Sequence, residues 1–235
     1  MAERVLRRIV AGDGRPAVVL EAGINNGAAS WQRVMPLLAP HVRAAAYDRA
    51  GIDGSARAPG LVTIDRQIDD LASVITGLEA GPCVLAGHSW GGILVQLLAF
   101  RRPELAAGLV LVDPGHEGME LGLPPPLRWG WRAVNRVFPD ELHEDAAVTM
   151  AAVQEMRASA TSLPDVPVVV LSAASAFPLP RRFRAHWTRL QSGLAVAAPQ
   201  GRHIVVDGTG HNIPRTRPNV VADVILGVAA QVRQR

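Results

Sequence analysis

Gly87-His88-Ser89-Trp90-Gly91 matches the pattern G-x-S-x-G. A serine hydroxyl is a weak nucleophile until its surroundings present it and remove its proton. The pattern handles presentation when it lies between a strand and a helix, because the serine then sits on a sharp turn and the glycines admit close backbone neighbours. The apolar run Cys83-Val84-Leu85-Ala86 precedes it and the helical run Ile93 to Phe100 follows it. Ser89 is therefore expected at the edge of a sheet with a helix N-terminus behind it. The alternative is a glycine-rich strand-to-helix turn that carries only a surface serine.

Proton removal calls for a base, and His211 is the candidate. It lies in Asp207-Gly208-Thr209-Gly210-His211-Asn212, after the last apolar strand pattern and before the last helical one. That is last place in the chain order serine, acid, histidine. His88 adjoins the nucleophile and is expected to pack under the turn. His41, His143, His186 and His203 read as surface or strand-end residues. The developing oxyanion needs two backbone donors. The Trp90 amide follows the nucleophile and is one. The Ile24 amide, in the loop Glu21-Ala22-Gly23-Ile24-Asn25-Asn26, is the other, with Asn25 placed to contact substrate.

The elements that must hold these residues are legible as alternating patterns. Strands are expected at Val5–Val10, Ala17–Glu21, Val42–Tyr47, Pro82–Ala86, Gly108–Asp113, Val166–Leu171 and His203–Val206. Several are continuous apolar runs, as in parallel strands covered on both faces. Ile64, Ile68, Leu71, Ile75 and Leu78 mark one face of a helix, as do Val220, Val221, Val224, Ile225, Val228 and Val232. This alternation predicts an α/β fold with a mostly parallel, doubly wound sheet, built as a single domain over residues 1–235. Between about 114 and 165 the rhythm breaks, with Pro124-Pro125-Pro126 and then helical spacing at Val148, Ala152 and Met156. A small helical lid is expected there, and Trp90, Trp129, Trp131, Val134 and Phe138 are candidates for an apolar substrate pocket.

Composition removes other chemistries. The 235 residues are 49% hydrophobic, enough for one sizeable core. The net charge is +3, and the sequence pI of about 10.2 is inflated because all 24 basic residues are arginine. The arginines are scattered, so no nucleic-acid groove is expected. Without lysine there is no Schiff-base catalysis and no phosphate-binding GxxxxGK loop. Cys83, the one cysteine, lies in an apolar run and reads as a small core residue. No metal-ligand motif occurs, so neither metal nor cofactor is expected. No run is long or apolar enough for a secretory signal or a membrane span, and a cytoplasmic enzyme is expected.

Taken in order, Val18-Val19-Leu20-Glu21-Ala22-Gly23, Tyr47-Asp48-Arg49-Ala50-Gly51, the Ser89 turn, Leu111-Val112-Asp113-Pro114 and Gly210-His211 resemble bacterial α/β-fold hydrolases over nearly the whole chain. There are departures: Ala22-Gly23 stands where the family has His-Gly, and Asp53 replaces the second glycine of a G-x-G-x-S turn. The family often carries its acid after the strand read here as Val166–Leu171, yet no Asp or Glu occurs from Val166 to Val206. Asp113 takes the place, as in relatives similar to haloalkane dehalogenases; Glu117 is the alternative, and Asp207 reads as loop-shaping. The resemblance implies a serine hydrolase cleaving a small carboxylic ester, thioester or lactone through an acyl-enzyme. Its rivals are a lyase, cyclase or acyltransferase on the same scaffold, and a slow-turnover ligand-binding protein.

Overall fold

The computed structural model describes residues 6–57, 62–118, 126, 146–159, 163–175 and 181–235, with the backbone alone for 146–150. The strands among them are β1 Arg8–Ala11, β2 Val18–Glu21, β3 Ala44–Tyr47, β4 Cys83–His88, β5 Ala106–Val112, β6 Pro167–Ala173 and β7 Gln200–Val206. The helices are α1 Met35–Leu38, α2 Ile64–Thr76, α3 Trp90–Arg101, α4 Ala146–Ala158, α5 Arg181–Ala197, α6 Ile213–Thr216 and α7 Pro218–Arg233.

The strands form one sheet in the order β1-β3-β2-β4-β5-β6-β7. The β1–β3 pairing is antiparallel and the other pairings are parallel. The chain runs from β2 outward to β3, then returns to place β4 on the other side of β2. Strand order thus reverses between β2 and β4, and a crevice opens beyond their C-terminal ends. Glu21 is in register with Gly87, so the loop after β2 lies beside the Ser89 turn.

Alternating residues of each strand feed two separate cores. Val19, Ala45, Leu85, Leu109, Leu111, Val168 and Val170 pack on one face with α2, α3 and α5. Val18, Leu20, Ala44, Ala46, Val84, Ala86, Val110 and Leu171 pack on the other with α1 and α7. This two-sided covering is why the strands read as unbroken apolar runs. Helix α2 starts at Thr63, whose hydroxyl accepts from the Arg66 amide at 3.2 Å. It turns Ile64, Ile68, Leu71 and Ile75 inward. Helix α3 is buried from Trp90 through Ala99, as a central helix without a polar face must be.

The N-terminal strand differs from expectation. It spans Arg8–Ala11 rather than Val5–Val10, of which Val5 lies outside the described residues. Arg7 is held by the loop after β3: its amide donates to Ser55 Oγ at 2.9 Å and its guanidinium to Asp48 at 2.8 Å. The Asp48 amide also donates to Arg7 O at 3.0 Å, so backbone contact with the chain after β3 continues one residue beyond the strand. Strand β7 begins at Gln200, three residues before the apolar run, because Gln200, Gly201 and Arg202 pair through backbone with Pro167, Val168 and Val169 at the sheet edge. Of the expected lid, 114–118, 126, 146–159 and 163–165 are described, including α4. No helix among the described residues is long and apolar enough to cross a membrane.

Candidate active site

Ser89 joins β4 to α3 with φ 53° and ψ −114°, a conformation that costs a non-glycine residue free energy and that the surroundings must enforce. The Ser89 amide donates to Val112 O at 3.1 Å, and its carbonyl accepts from the Gly92 and Gly115 amides. The flanking glycines are needed for space. A Cβ on Gly91 would lie 2.4 Å from Glu21 O and 2.6 Å from Ala22 O; one on Gly87 would lie 2.3 Å from Gly91 O. The turn is thus wedged against the loop after β2.

Arg49 holds that loop from behind. Its guanidinium is buried, pairs with Glu21, and donates to Ala22 O at 2.8 Å and Gly23 O at 2.5 Å. Tyr47 also bonds to Glu21. Burial, and then the charge of Glu21, push the Tyr47 phenol well above its ordinary range, so the hydroxyl stays a donor. In a trans peptide, a Gly23 carbonyl directed at Arg49 sends the Ile24 N–H the opposite way. Gly23 lies close to Ser89: a Cβ there would be 3.4 Å from Ser89 Cβ. The Trp90 amide is in the first turn of α3, where no intrahelical carbonyl can reach it. Its indole turns inward and donates to Gln67 Oε1 at 2.9 Å, so this side chain packs in the core. Asn25 is exposed, with φ 55°.

Asp113 directly follows β5 and is fully buried. Its Oδ2 lies 2.7 Å from His211 Nδ1. Its Oδ1 accepts from the Ala173 amide and from Arg184 Nη1, both at 3.0 Å. A carboxylate facing Nδ1 fixes the proton there and leaves Nε2 with the lone pair. The imidazole of His211 is part exposed, at 43%, while the Asp113 carboxylate is dry. Trp187 and His88 flank the ring at centroid distances of 5.1 Å and 4.8 Å. His88 does pack under the turn, and it also contacts the histidine loop, with Nε2 2.9 Å from His211 O. Burial, reinforced by the His211 charge, lowers His88 to about 4. It is therefore neutral near pH 7, and Nε2 is the donor to the carbonyl.

Glu117 takes a different position from Asp113: its partners are Arg157 at 3.4 Å and His116 at 3.3 Å. Asp207 is exposed, and its carbonyl accepts from Arg217. His41 is exposed. His203 and His186 are half-buried and bond to Ser172 Oγ and Gly118 O. His143, Trp129, Trp131, Val134 and Phe138 lie outside the described residues. Among the described residues, no group of three or more His, Cys, Asp or Glu side chains could hold a metal ion. Cys83 is buried, and burial pushes its thiol up to about 11, so it is no nucleophile at neutral pH.

Two contributors are not visible in the motifs. Arg184 pairs with the buried Asp113, donates to Ala173 O at 2.8 Å and lies over the Trp187 ring at 4.3 Å. Trp187 in turn packs on His211 and donates to Pro114 O at 3.0 Å. The available signal is the buried stripe of α5, Phe183, Arg184, Trp187, Gln191 and Leu194, in which an arginine and a glutamine interrupt an apolar face.

Residues 18–224 match the model of the alpha/beta hydrolase family, and the chain belongs to that family. The uncharacterized protein YqjL of Bacillus subtilis is 26% identical over 223 residues, covering 89% of this chain and 82% of that protein. Lipase LipV of Mycobacterium tuberculosis is 37% identical over 106 residues, covering 44% of this chain and 39% of the lipase. A thermophilic esterase from Thermogutta terrifontis superimposes with a TM-score of 0.69 at 21% identity, covering 98% of this chain and 99% of that one. At that identity the likeness is one of fold.

Proposed function

We propose that the chain is a serine hydrolase that cleaves small carboxylic esters, thioesters or lactones through an acyl-enzyme on Ser89. The observation that carries this reading is the 2.7 Å contact between His211 Nδ1 and the buried Asp113 carboxylate, on the same sheet edge as the serine turn. His211 Nε2 takes the Ser89 proton as the hydroxyl attacks the carbonyl carbon. The Trp90 and Ile24 amides receive the oxyanion. His211 then protonates the leaving alcohol or thiol, and activates the water that releases the acid. Asp113 holds the tautomer and stabilises the imidazolium. The lipase with 37% identity over the matching segment agrees with acyl chemistry on this scaffold. Asn25, exposed on the loop after β2, is taken as a substrate contact.

The test is steady turnover of short p-nitrophenyl esters, with thioester and lactone panels beside it. Ser89→Ala should lower kcat many thousand-fold with an unchanged circular dichroism spectrum. A fluorophosphonate should add covalently to Ser89 in the parent and not in the variant. A loss of only a few-fold removes Ser89 from the mechanism.

A further inference from the structure

One cavity among the described residues is distinct from the serine turn. It has a volume of about 1100 Å³ and lies between one face of α5 and the outer strand β7. Arg181, Arg184, Thr188 and Arg189 line it from the helix, at the spacing of one helical face, and His203 and Val205 line it from the strand. Neither Ser89 nor His211 contributes to it.

Its charge is one-sided. No Asp or Glu occurs from Val166 to Val206, so neither lining element can supply a carboxylate. Arg181 and Arg189 have no ion pair among the described residues. Arg184 is 7% exposed and spends Nη1 on Asp113 and Ala173 O. Its Nε and Nη2 are buried without a hydrogen-bond partner among the described residues. Both nitrogens have essentially no accessible surface, so they do not reach a ligand in the groove. Arg181 also opens α5, where the helix dipole favours negative charge. The cations are arginines, whose planar forks match oxyanions. Burial lowers His203, so its contribution near pH 7 is a neutral imidazole. Along the rest of the groove Ala185 and Val205 offer apolar surface, with Val205 at 45% exposure.

We propose that this groove is a binding site for a small oxyanion-bearing ligand, a carboxylate or a phosphate. The anionic group sits between Arg181 and Arg189, beside the buried Arg184, and the body of the ligand lies along Ala185 and Val205. The site is separate from the Ser89 centre and is linked to it by the Arg184–Asp113 pair.

The test is calorimetric titration of the full chain with inorganic phosphate and, in a second arm, succinate, at constant ionic strength. Arg181→Gln/Arg189→Gln removes two lining cations that touch neither Asp113 nor His211, so ester turnover is unchanged. Arg101→Gln/Arg102→Gln, on α3 and just beyond it, removes the same charge elsewhere. The expected result is saturable binding in the parent, at least tenfold weaker in the first variant and unaltered in the second. Binding in both arms supports a general oxyanion site, and binding in one arm identifies the phosphate or the carboxylate. No saturable binding of either anion, or equal weakening in both variants, overturns the proposal, and neither outcome touches the reading of Ser89.

Discussion

At the scale of single residues, Asp113 and His88 carry consequences that can be measured. Asp113 is dry, and in the proposed mechanism it orients His211 as the base. Asp113→Asn keeps the shape but presents a neutral group that does not enforce the tautomer. The expected loss in kcat is on the order of a thousand-fold or more, close to that of His211→Ala. Glu117→Gln should cost little, since Glu117 engages Arg157 and His116. Measuring kcat for the three variants with one ester checks the assignment; the reverse order moves the acid to Glu117. His88 predicts a stability effect. Burial lowers its pKa from 6.5 to about 4 in the folded state. The unfolded chain therefore binds the extra proton first as pH falls, and stability drops through the window from about 6.5 to 4. Between pH 7 and pH 5 this single group is worth about 2 kcal/mol. His116 and His203 are lowered too, so they act with the same sign. Denaturant titrations at pH 7 and pH 5 should show a smaller stability difference in His88→Gln than in the parent. Equal differences would place the acid sensitivity elsewhere.

At the scale of elements, the serine turn and the last helix respond oppositely to the same substitution. Gly91→Ala places a methyl group against the carbonyls of Glu21 and Ala22, at 2.4 Å and 2.6 Å. Backbone cannot yield there without moving β2 away from α3. The expected outcome is a loss of several kcal/mol, or failure to accumulate as folded protein. Gly227 lies in the interior of α7, exposed, and a Cβ there meets nothing within 4 Å. Gly227→Ala should instead stabilise by about 0.5–1 kcal/mol. Thermal denaturation of the two variants checks both signs, and a neutral Gly91→Ala would contradict the wedged turn.

At the scale of the whole molecule, the proposed chemistry assembles from distant parts of the chain. The turn after β4 supplies the nucleophile, the loop after β2 an amide, the end of β5 the acid and the loop after β7 the base. In the proposed mechanism nucleophile and base are both side chains of this chain, so turnover of p-nitrophenyl esters should be unaffected by EDTA. Activity lost in EDTA and restored by zinc would contradict the mechanism. Much of this is legible in the sequence, because local order encodes it. Apolar strand, Gly87-His88-Ser89-Trp90-Gly91 and apolar helix are contiguous, and the turn follows from which residues allow it. The strands are legible as apolar runs, since a sheet covered on both faces needs apolar residues on both. The start of β1 is not, because it is set by pairing with β3, a segment about 40 residues away. The start of β7 is hidden because a sheet edge is held by backbone bonds and tolerates Gln200 and Arg202. Sequence order can nominate Asp113, yet only the packing of β5 against β6 and the β7 loop brings its carboxylate to His211. The Arg184 contact is beyond the sequence for the same reason. A buried arginine on α5 is recognisable as an anomaly in an apolar stripe, but its partner lies 71 residues away. That pairing exists only once the helix is docked on the sheet.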